Sequence, residues 1–196
     1  MRLILTAAAA SLALATAACN NRTDDTAEAN MSDDMAMNDM DTHANMAGHD
    51  NMAMPATAAA FVAMIAGGNM YEIESGKLAQ TMATMDECKK MGAMLVTDHT
   101  KQQDMLKTAA AASTPAVTLP TAMPAEHQAH LDALKAAKGA EFDRLFLAQQ
   151  KEGHSKMLAA LKSYAASGDS PSLKAFAAKA VAGVEAHYNK VNSMKI

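Results

Sequence analysis

Three histidines and two carboxylates are the residues whose types and spacing could build a metal-binding site. His99, His154 and His187 fall on the apolar stripes of three different predicted helices. Asp143 precedes His154 by eleven residues, about three helical turns, so the two side chains share one helix face. Glu72 belongs to the first predicted helix. Because helical bundles build metal sites from imidazoles and carboxylates on facing helices, these residues are candidate ligands for copper, zinc or iron.

The spacing of these candidates disfavours one kind of metal chemistry. Di-iron carboxylate bundles use a Glu-x-x-His motif, which puts two ligands on one face of a helix. The residues three positions before the three histidines are Val96, Lys151 and Val184. Ferritin-like oxidase or oxygenase chemistry is therefore disfavoured, while a mononuclear site stays open.

Buried histidines also have an explanation without metal. An unsatisfied polar group in a core costs about 1–3 kcal/mol, so a buried imidazole is usually hydrogen-bonded to a neighbour. Glu72 paired with one histidine, and Asp143 capping another or the backbone, would satisfy this polar core. We favour this hydrogen-bonded network on sequence grounds, and a small-molecule pocket is a third interpretation.

Hydrophobic periodicity predicts the helices that must hold these residues. The chain has no Trp and 4% aromatic residues, which suits closely packed helices and disfavours a sheet. Gly67 and Gly68 predict a kink or break, whereas Ser170 and Pro171 predict a helix start. Short connections favour an all-α, antiparallel four-helix bundle with an extra short helix. The long helices are expected at about residues 58–82, 86–112, 140–166 and 171–194, and the short one at 125–138.

The first 19 residues have the pattern of a signal peptide, with Arg2, a short apolar stretch and small residues before Cys19. The end of this segment resembles a bacterial lipobox, which predicts lipidation of Cys19 and a membrane partner through that lipid anchor. Thr16 departs from the lipobox pattern, and an ordinary signal peptide with a free periplasmic product is the alternative. Asn20 follows Cys19, which favours a periplasmic location anchored to the outer membrane.

Residues 20–56 form an acidic, Met/Asp-rich segment that precedes the predicted bundle domain at 57–196. Few bulky apolar residues are present, so we expect a disordered tether. Its thioethers and imidazoles are ligands that bind copper, and this composition is similar to that of Met/His-rich copper-handling segments. A plain spacer is the alternative. The tether ligands would be Met35, Met37, His43, His49, Met52 and Met54.

Charge and motif content exclude several function classes. The net charge of −4 disfavours a nucleic-acid partner, because phosphate binding needs a basic face. The sequence contains no nucleophile elbow, phosphate-binding loop or Cys-x-x-Cys motif. Cys88 is expected to be a buried thiol, and His127 and His130 are expected on an exposed short helix.

A series of short motifs resembles the bacterial family known as domain of unknown function 4142. The motifs lie between about residues 58 and 194, and their order and spacing are similar to those of the family. They are Phe61-Val62, the run from Tyr71 to Ala79, the run from Val96 to Lys101, Leu119-Pro120, Glu141-Phe142-Asp143, Gln149-Gln150 before His154, and His187.

This resemblance implies a ferritin-like helical bundle in the periplasm or at the outer membrane, without an established activity. Phe146 and Ala182 depart from residues common in the family, and Phe146 removes a polar group from any buried site. The sequence therefore predicts an envelope-associated, non-enzymatic binding or stress-response module in which a transition metal is one candidate ligand. A metal-dependent redox enzyme and a purely structural envelope protein are the alternatives.

Overall fold

The computed structural model describes residues 54–195, and this part of the chain is all-α. The predicted leader, Cys19 and the tether ligands from Met35 to Met52 lie outside the described residues. Met54 lies ahead of the first helix and is exposed. The helices are α1 (Ala58–Met82), α2 (Asp86–Ala111), α3 (Ala125–Ala136), α4 (Ala140–Ser167) and α5 (Pro171–Ser193).

The predicted fold class is confirmed, with four long helices and one short one. The predicted break at Gly67 and Gly68 is wrong, because α1 is continuous through both residues. These glycines instead allow close packing: a Cβ on Gly67 would lie 2.7 Å from Pro124, and one on Gly68 would lie 2.6 Å from Met157.

The helix ends follow capping rules in part. Thr57 is the N-cap of α1, and its hydroxyl accepts a hydrogen bond from the backbone N–H of Ala60. Ser170 and Pro171 occupy the predicted N-cap and first position of α5. The Ser170 hydroxyl does not cap the helix, however, because it is hydrogen-bonded to the hydroxyl of Ser172.

The long helices pack most extensively as two pairs, α1 with α2 and α4 with α5. Gly76 and Gly92 face each other in the first pair. A Cβ on Gly92 would lie 2.5 Å from the backbone oxygen of Gly76, so the two helices can approach this closely only without a side chain there. None of the helices in residues 54–195 has the length and apolarity needed to cross a membrane.

Two apolar clusters fill the interior. One includes Phe61, Tyr164 and Phe176, and the other includes Leu95 and Phe142. Along each long helix, buried polar residues separate the members of the two clusters, so a polar layer crosses the middle of the bundle. This layer includes Asn69, Glu72, His99, Gln150, His154 and His187.

Candidate metal centre

The three histidines converge in the polar layer. His99 lies on α2, His154 on α4 and His187 on α5, and all three are buried. One ring nitrogen from each histidine lies within 4.8 Å of the corresponding nitrogens of the other two. The helical stripes read from the sequence therefore place all three imidazoles at one point inside the bundle.

His99 is oriented by an amide on α1. Its Nδ1 atom lies 2.9 Å from Oδ1 of Asn69, and Nδ2 of Asn69 donates to Gln103 at 2.9 Å. In this arrangement Oδ1 of Asn69 faces the histidine and accepts the proton of Nδ1 of His99. The Nε2 atom of His99 then carries a lone pair, and it is buried without a hydrogen-bond partner in the described part of the chain.

His154 and His187 are oriented in the same manner. Nδ1 of His154 lies 2.9 Å from the backbone oxygen of Gln150, which can only accept, so Nδ1 donates. Nε2 of His187 lies 3.0 Å from a carboxylate oxygen of Asp98 and donates to it. The remaining nitrogens, Nε2 of His154 and Nδ1 of His187, lie 3.3 Å apart. If both rings are neutral, two lone pairs face each other across this gap.

The arrangement has the form of a metal site with its supporting residues. Histidines that bind metals usually donate their second N–H to a carboxylate, carbonyl or similar acceptor, which fixes the tautomer. Nitrogen ligands at bonds of about 2.0–2.1 Å lie about 3.3–3.4 Å apart around a tetrahedral ion, and His154 and His187 match that separation. Spacings near the 4.8 Å limit must close by several tenths of an ångström, because two such bonds span at most about 4.2 Å.

Burial keeps two of the imidazoles in the neutral, metal-binding form. Burial lowers the pKa of His99 well below its usual range, and the neighbouring His154 and His187 lower it further. Burial also lowers the pKa of His154 to about 4, although its hydrogen bond to Gln150 opposes this change. Both rings are therefore available as ligands at neutral pH.

Glu72 lies beside the histidines but on the opposite side of His154. Its Oε1 atom is 3.9 Å from Nδ1 of His154, the nitrogen that donates to Gln150 rather than the one that faces His187. Burial raises the pKa of Glu72 to about 8, and the nearby side-chain amide of Gln150 acts in the other direction. Its Oε2 atom has no hydrogen-bond partner among residues 54–195. Glu72 therefore contacts the edge of the site.

Asp143, the other predicted carboxylate, contacts the connection between α1 and α2. Its oxygens accept from the backbone N–H of Thr84 at 3.0 and 3.2 Å and from that of Met85 at 3.1 Å. The Thr84 hydroxyl donates to it as well. The structure therefore gives Asp143 the backbone-capping role that the sequence left open, apart from the three histidines. Cys88 is a buried free thiol whose pKa burial and Asp143 raise to about 12.

Sequence reasoning missed the residues that orient the imidazoles. Asp98 directly precedes His99 in the chain yet contacts His187 on another helix. Asn69 lies three residues before Glu72 in an otherwise apolar part of α1. A polar residue at a core-facing helical position was the signal that could have identified Asn69.

The outer edge of the histidine group adjoins a groove between α2 and α5. The groove has a volume of about 260 Å³, and Asp98, Gln102, Met105, Lys179 and His187 are among its lining residues. Asp98 is about half exposed, with 45% of its side chain accessible. The groove thus reaches His187 from the surface.

Most residues of the short helix α3 are exposed, as its sequence predicts, but its two histidines are less exposed than expected. His127 and His130 are half-buried and contact the ring of Tyr71, with centroid distances of 5.5 and 6.2 Å. Burial lowers the pKa of His127, with Glu126 opposing the change. These two histidines form part of the wall of a separate cavity between α1, α3 and α4.

Comparison with known structures supports the fold. The chain is similar to a solved structure titled "CopM in the Cu(II)-bound form", with a TM-score of 0.58 and 20% sequence identity over 69% of this chain and 93% of that chain. Comparison with curated proteins gave no significant match.

The family model "Domain of unknown function (DUF4142)" matches residues 41–194. The match begins before the first helix and covers all five helices. It thus extends further toward the N-terminus than the motifs read from the sequence. The chain therefore belongs to the DUF4142 family.

Proposed function

We propose that the bundle is a copper-binding module whose ligands are the three central imidazoles. One observation carries this proposal: each imidazole commits one N–H to an acceptor, which leaves a buried lone pair on the other nitrogen. The ligand atoms are Nε2 of His99, Nε2 of His154 and Nδ1 of His187.

Copper fits this donor set better than other first-row metals. Imidazole binds copper in either oxidation state, and the affinity of nitrogen sites for divalent ions is highest for Cu²⁺. The similar solved structure is of CopM in its Cu(II)-bound form. That protein is 20% identical to this chain, so it supports copper as the metal to test, and the ligands proposed here rest on the residues of this chain.

Metal binding without catalysis is the account that the site supports best. The three imidazoles are buried, which leaves little room for a substrate beside a bound ion. Asp143 is engaged by the α1–α2 connection, and Glu72 faces Nδ1 of His154 rather than its free Nε2 atom. No Glu-x-x-His pair supplies a second metal position. A metal-dependent redox enzyme needs an open coordination position, and the best approach to one is the narrow groove beside His187.

We propose an envelope location for this copper module on the basis of its leader. A lipid anchor at Cys19 would hold the protein at the outer membrane, and the methionine-rich tether would offer further soft ligands for Cu(I). The imidazoles of the bundle would then hold one copper ion, and the thioethers of the tether would bind further Cu(I).

Copper titration of the mature chain separates the two kinds of site. Deleting residues 31–54 should remove the Cu(I) affinity of the tether and leave one equivalent of Cu(II) bound by the bundle. His99→Ala should abolish that equivalent, whereas His130→Ala, which removes another half-buried histidine, should not. Binding of less than about a tenth of an equivalent by the deletion variant would refute the bundle site.

A further inference from the structure

A second cavity lies between α1, α3 and α4, on the other side of the polar layer from the groove beside His187. Its volume is about 350 Å³, which is within the range of about 300–1,000 Å³ typical of small-molecule sites. Met64, Ile65, Pro124 and Met157 give it apolar walls. The exposed Glu126 also lines it, so the cavity opens to solvent at that end.

Two glycines in helix interiors keep this space open. Glycine disfavours a helix relative to alanine, so a mid-helix glycine is expected to serve packing or access. A Cβ on Gly68 would lie 2.6 Å from the terminal methyl of Met157, and a Cβ on Gly153 would lie 3.4 Å from Oε1 of Glu72. Larger side chains at these positions would occupy the cavity, and at Gly153 they would also cover Glu72.

The polar atoms of the cavity wall fall into two groups. Tyr71 donates to Gln149 at 2.6 Å, and Gln149 donates to the backbone oxygen of His130 at 3.2 Å, so these groups are satisfied. Oε2 of Glu72 and Nδ1 of His127 are buried without a partner in the described part of the chain. Glu72 is 2% exposed and lines the cavity, so a ligand hydroxyl placed beside it would give this buried carboxyl group a hydrogen-bond partner.

The charged residues around the opening form one ion-paired group. Lys156 lies 2.7 Å from a carboxylate oxygen of Glu152 and 3.7 Å from one of Glu126, so one cation is shared by two carboxylates. Among residues 54–195, the lining therefore offers no free cation that would attract an anionic ligand, and the one lysine is already paired. The thioethers of Met64 and Met157 make favourable contacts with aromatic rings.

We propose that this cavity is a binding site for a small uncharged aromatic molecule that carries a hydroxyl group, with its ring between Met64 and Met157 and its hydroxyl at Glu72. A hydroxyl can donate to a carboxylate or accept from a carboxylic acid, so it pairs with Glu72 in either form. The site uses none of the three imidazole nitrogens assigned to copper. It is therefore independent of the proposed copper function.

The test uses 2-naphthol as the probe and metal-free mature protein with ¹³C-labelled methionine methyl groups. The methyl resonances of Met64 and Met157, assigned with single Met→Leu variants, should shift in a saturable manner with the probe. The resonance of the exposed Met105, on the other groove, should not move. The absence of copper separates this result from any failure of the metal proposal.

Substitutions at two glycines, Gly153 in the cavity wall and Gly183 away from it, give the cavity test a matched control. Gly153→Leu should weaken 2-naphthol binding at least tenfold, and Gly153→Ala should weaken it a few-fold because its methyl only touches Glu72. Gly183→Leu, at a position where an added Cβ meets nothing within 4 Å, should bind like the wild type. Absence of saturable shifts at millimolar 2-naphthol, or unchanged affinity in a folded Gly153→Leu protein, would overturn the proposal.

Discussion

The Nε2 atom of His154 lies 3.3 Å from Nδ1 of His187, and each ring already donates its other N–H to an acceptor outside the pair. Two neutral imidazoles in these tautomers would present lone pairs to each other. A metal ion bound between them would remove this conflict.

Asp98 is expected to tune copper affinity through His187. Asp98→Ala should weaken copper binding about 10–100-fold, the range typical for residues that orient metal-bound histidines. Because Asp98 is about half exposed, its hydrogen bond to His187 should contribute less than about 1 kcal/mol to stability. Asp104→Ala, an exposed acidic position on the same helix, is the control for general charge effects. Equal affinities in both variants would show that Asp98 does not orient a ligand.

Glu72 is expected to make stability depend on pH. Its pKa rises to about 8 in the folded protein from 4.5, so the folded state holds the proton more tightly. The stability linked to that proton is present below about pH 4.5 and is lost as the pH rises toward 8. The glutamine of Glu72→Gln stays neutral at every pH. The free energy of unfolding of this variant should therefore rise by about 2–4 kcal/mol relative to that of the wild type as the pH goes from 5 to 8. Urea unfolding of metal-free protein across this range measures the difference, and a constant difference would contradict the assignment.

The lowered pKa of His154 makes the folded state less stable as the pH falls, whereas Glu72 makes it less stable as the pH rises. A buried imidazole with a pKa of about 4, against 6.5 when unfolded, destabilises the folded state as the pH falls from about 6.5 to 4. His154→Gln should therefore unfold less readily with acid over this window than wild type does. The comparison is made by urea unfolding of metal-free protein, and parallel pH profiles for the two proteins would argue against a neutral buried His154.

Asp143 is expected to support the α1–α2 connection and not the metal. Asp143→Ala should cost about 1–3 kcal/mol, because the backbone N–H groups of Thr84 and Met85 lose their acceptor. Copper stoichiometry should stay at one equivalent. Asp132→Ala, which removes exposed hydrogen bonds on α3, should leave the free energy of unfolding nearly unchanged. Loss of copper in a folded Asp143→Ala protein would restore Asp143 as a ligand.

The close packing of α1 on α2 is expected to depend on Gly92. Gly92→Ala should destabilise the bundle by about 1–3 kcal/mol through overpacking, because the added Cβ would lie 2.5 Å from the Gly76 backbone oxygen. Gly183→Ala, where the Cβ meets nothing within 4 Å, should instead stabilise α5 by up to about 1 kcal/mol. Denaturant unfolding of the two variants should thus give changes of opposite sign.

Local patterns in the sequence were sufficient to predict the helices and the inward direction of the three histidines. Each histidine shares a 3.6-residue stripe with apolar side chains, and that information lies within a single helix. The hydrogen-bond partners of the histidines depend on which helices pack together and on how far each helix is shifted along its axis relative to its neighbours. Asp98 illustrates this limit, because its contact with His187 joins residues 89 positions apart.

The roles of glycine were also beyond local inference. Gly67 and Gly68 read as a helix break, yet both lie in a continuous α1 where Pro124 and Met157 pack over them. Only the tertiary arrangement shows that the missing side chains are needed for packing. The cavity beside Glu72 likewise arises from three helices and has no signature in any one of them.

X-ray absorption at the copper edge, on protein lacking residues 31–54 and loaded with one equivalent of copper, tests the central claim most directly. A copper site built from the three histidines should give nitrogen neighbours at about 2.0 Å, the outer-shell pattern of three imidazoles, and no copper signal from His99→Ala loaded in the same way. Sulfur neighbours at about 2.3 Å, or an unchanged spectrum in His99→Ala, would contradict it.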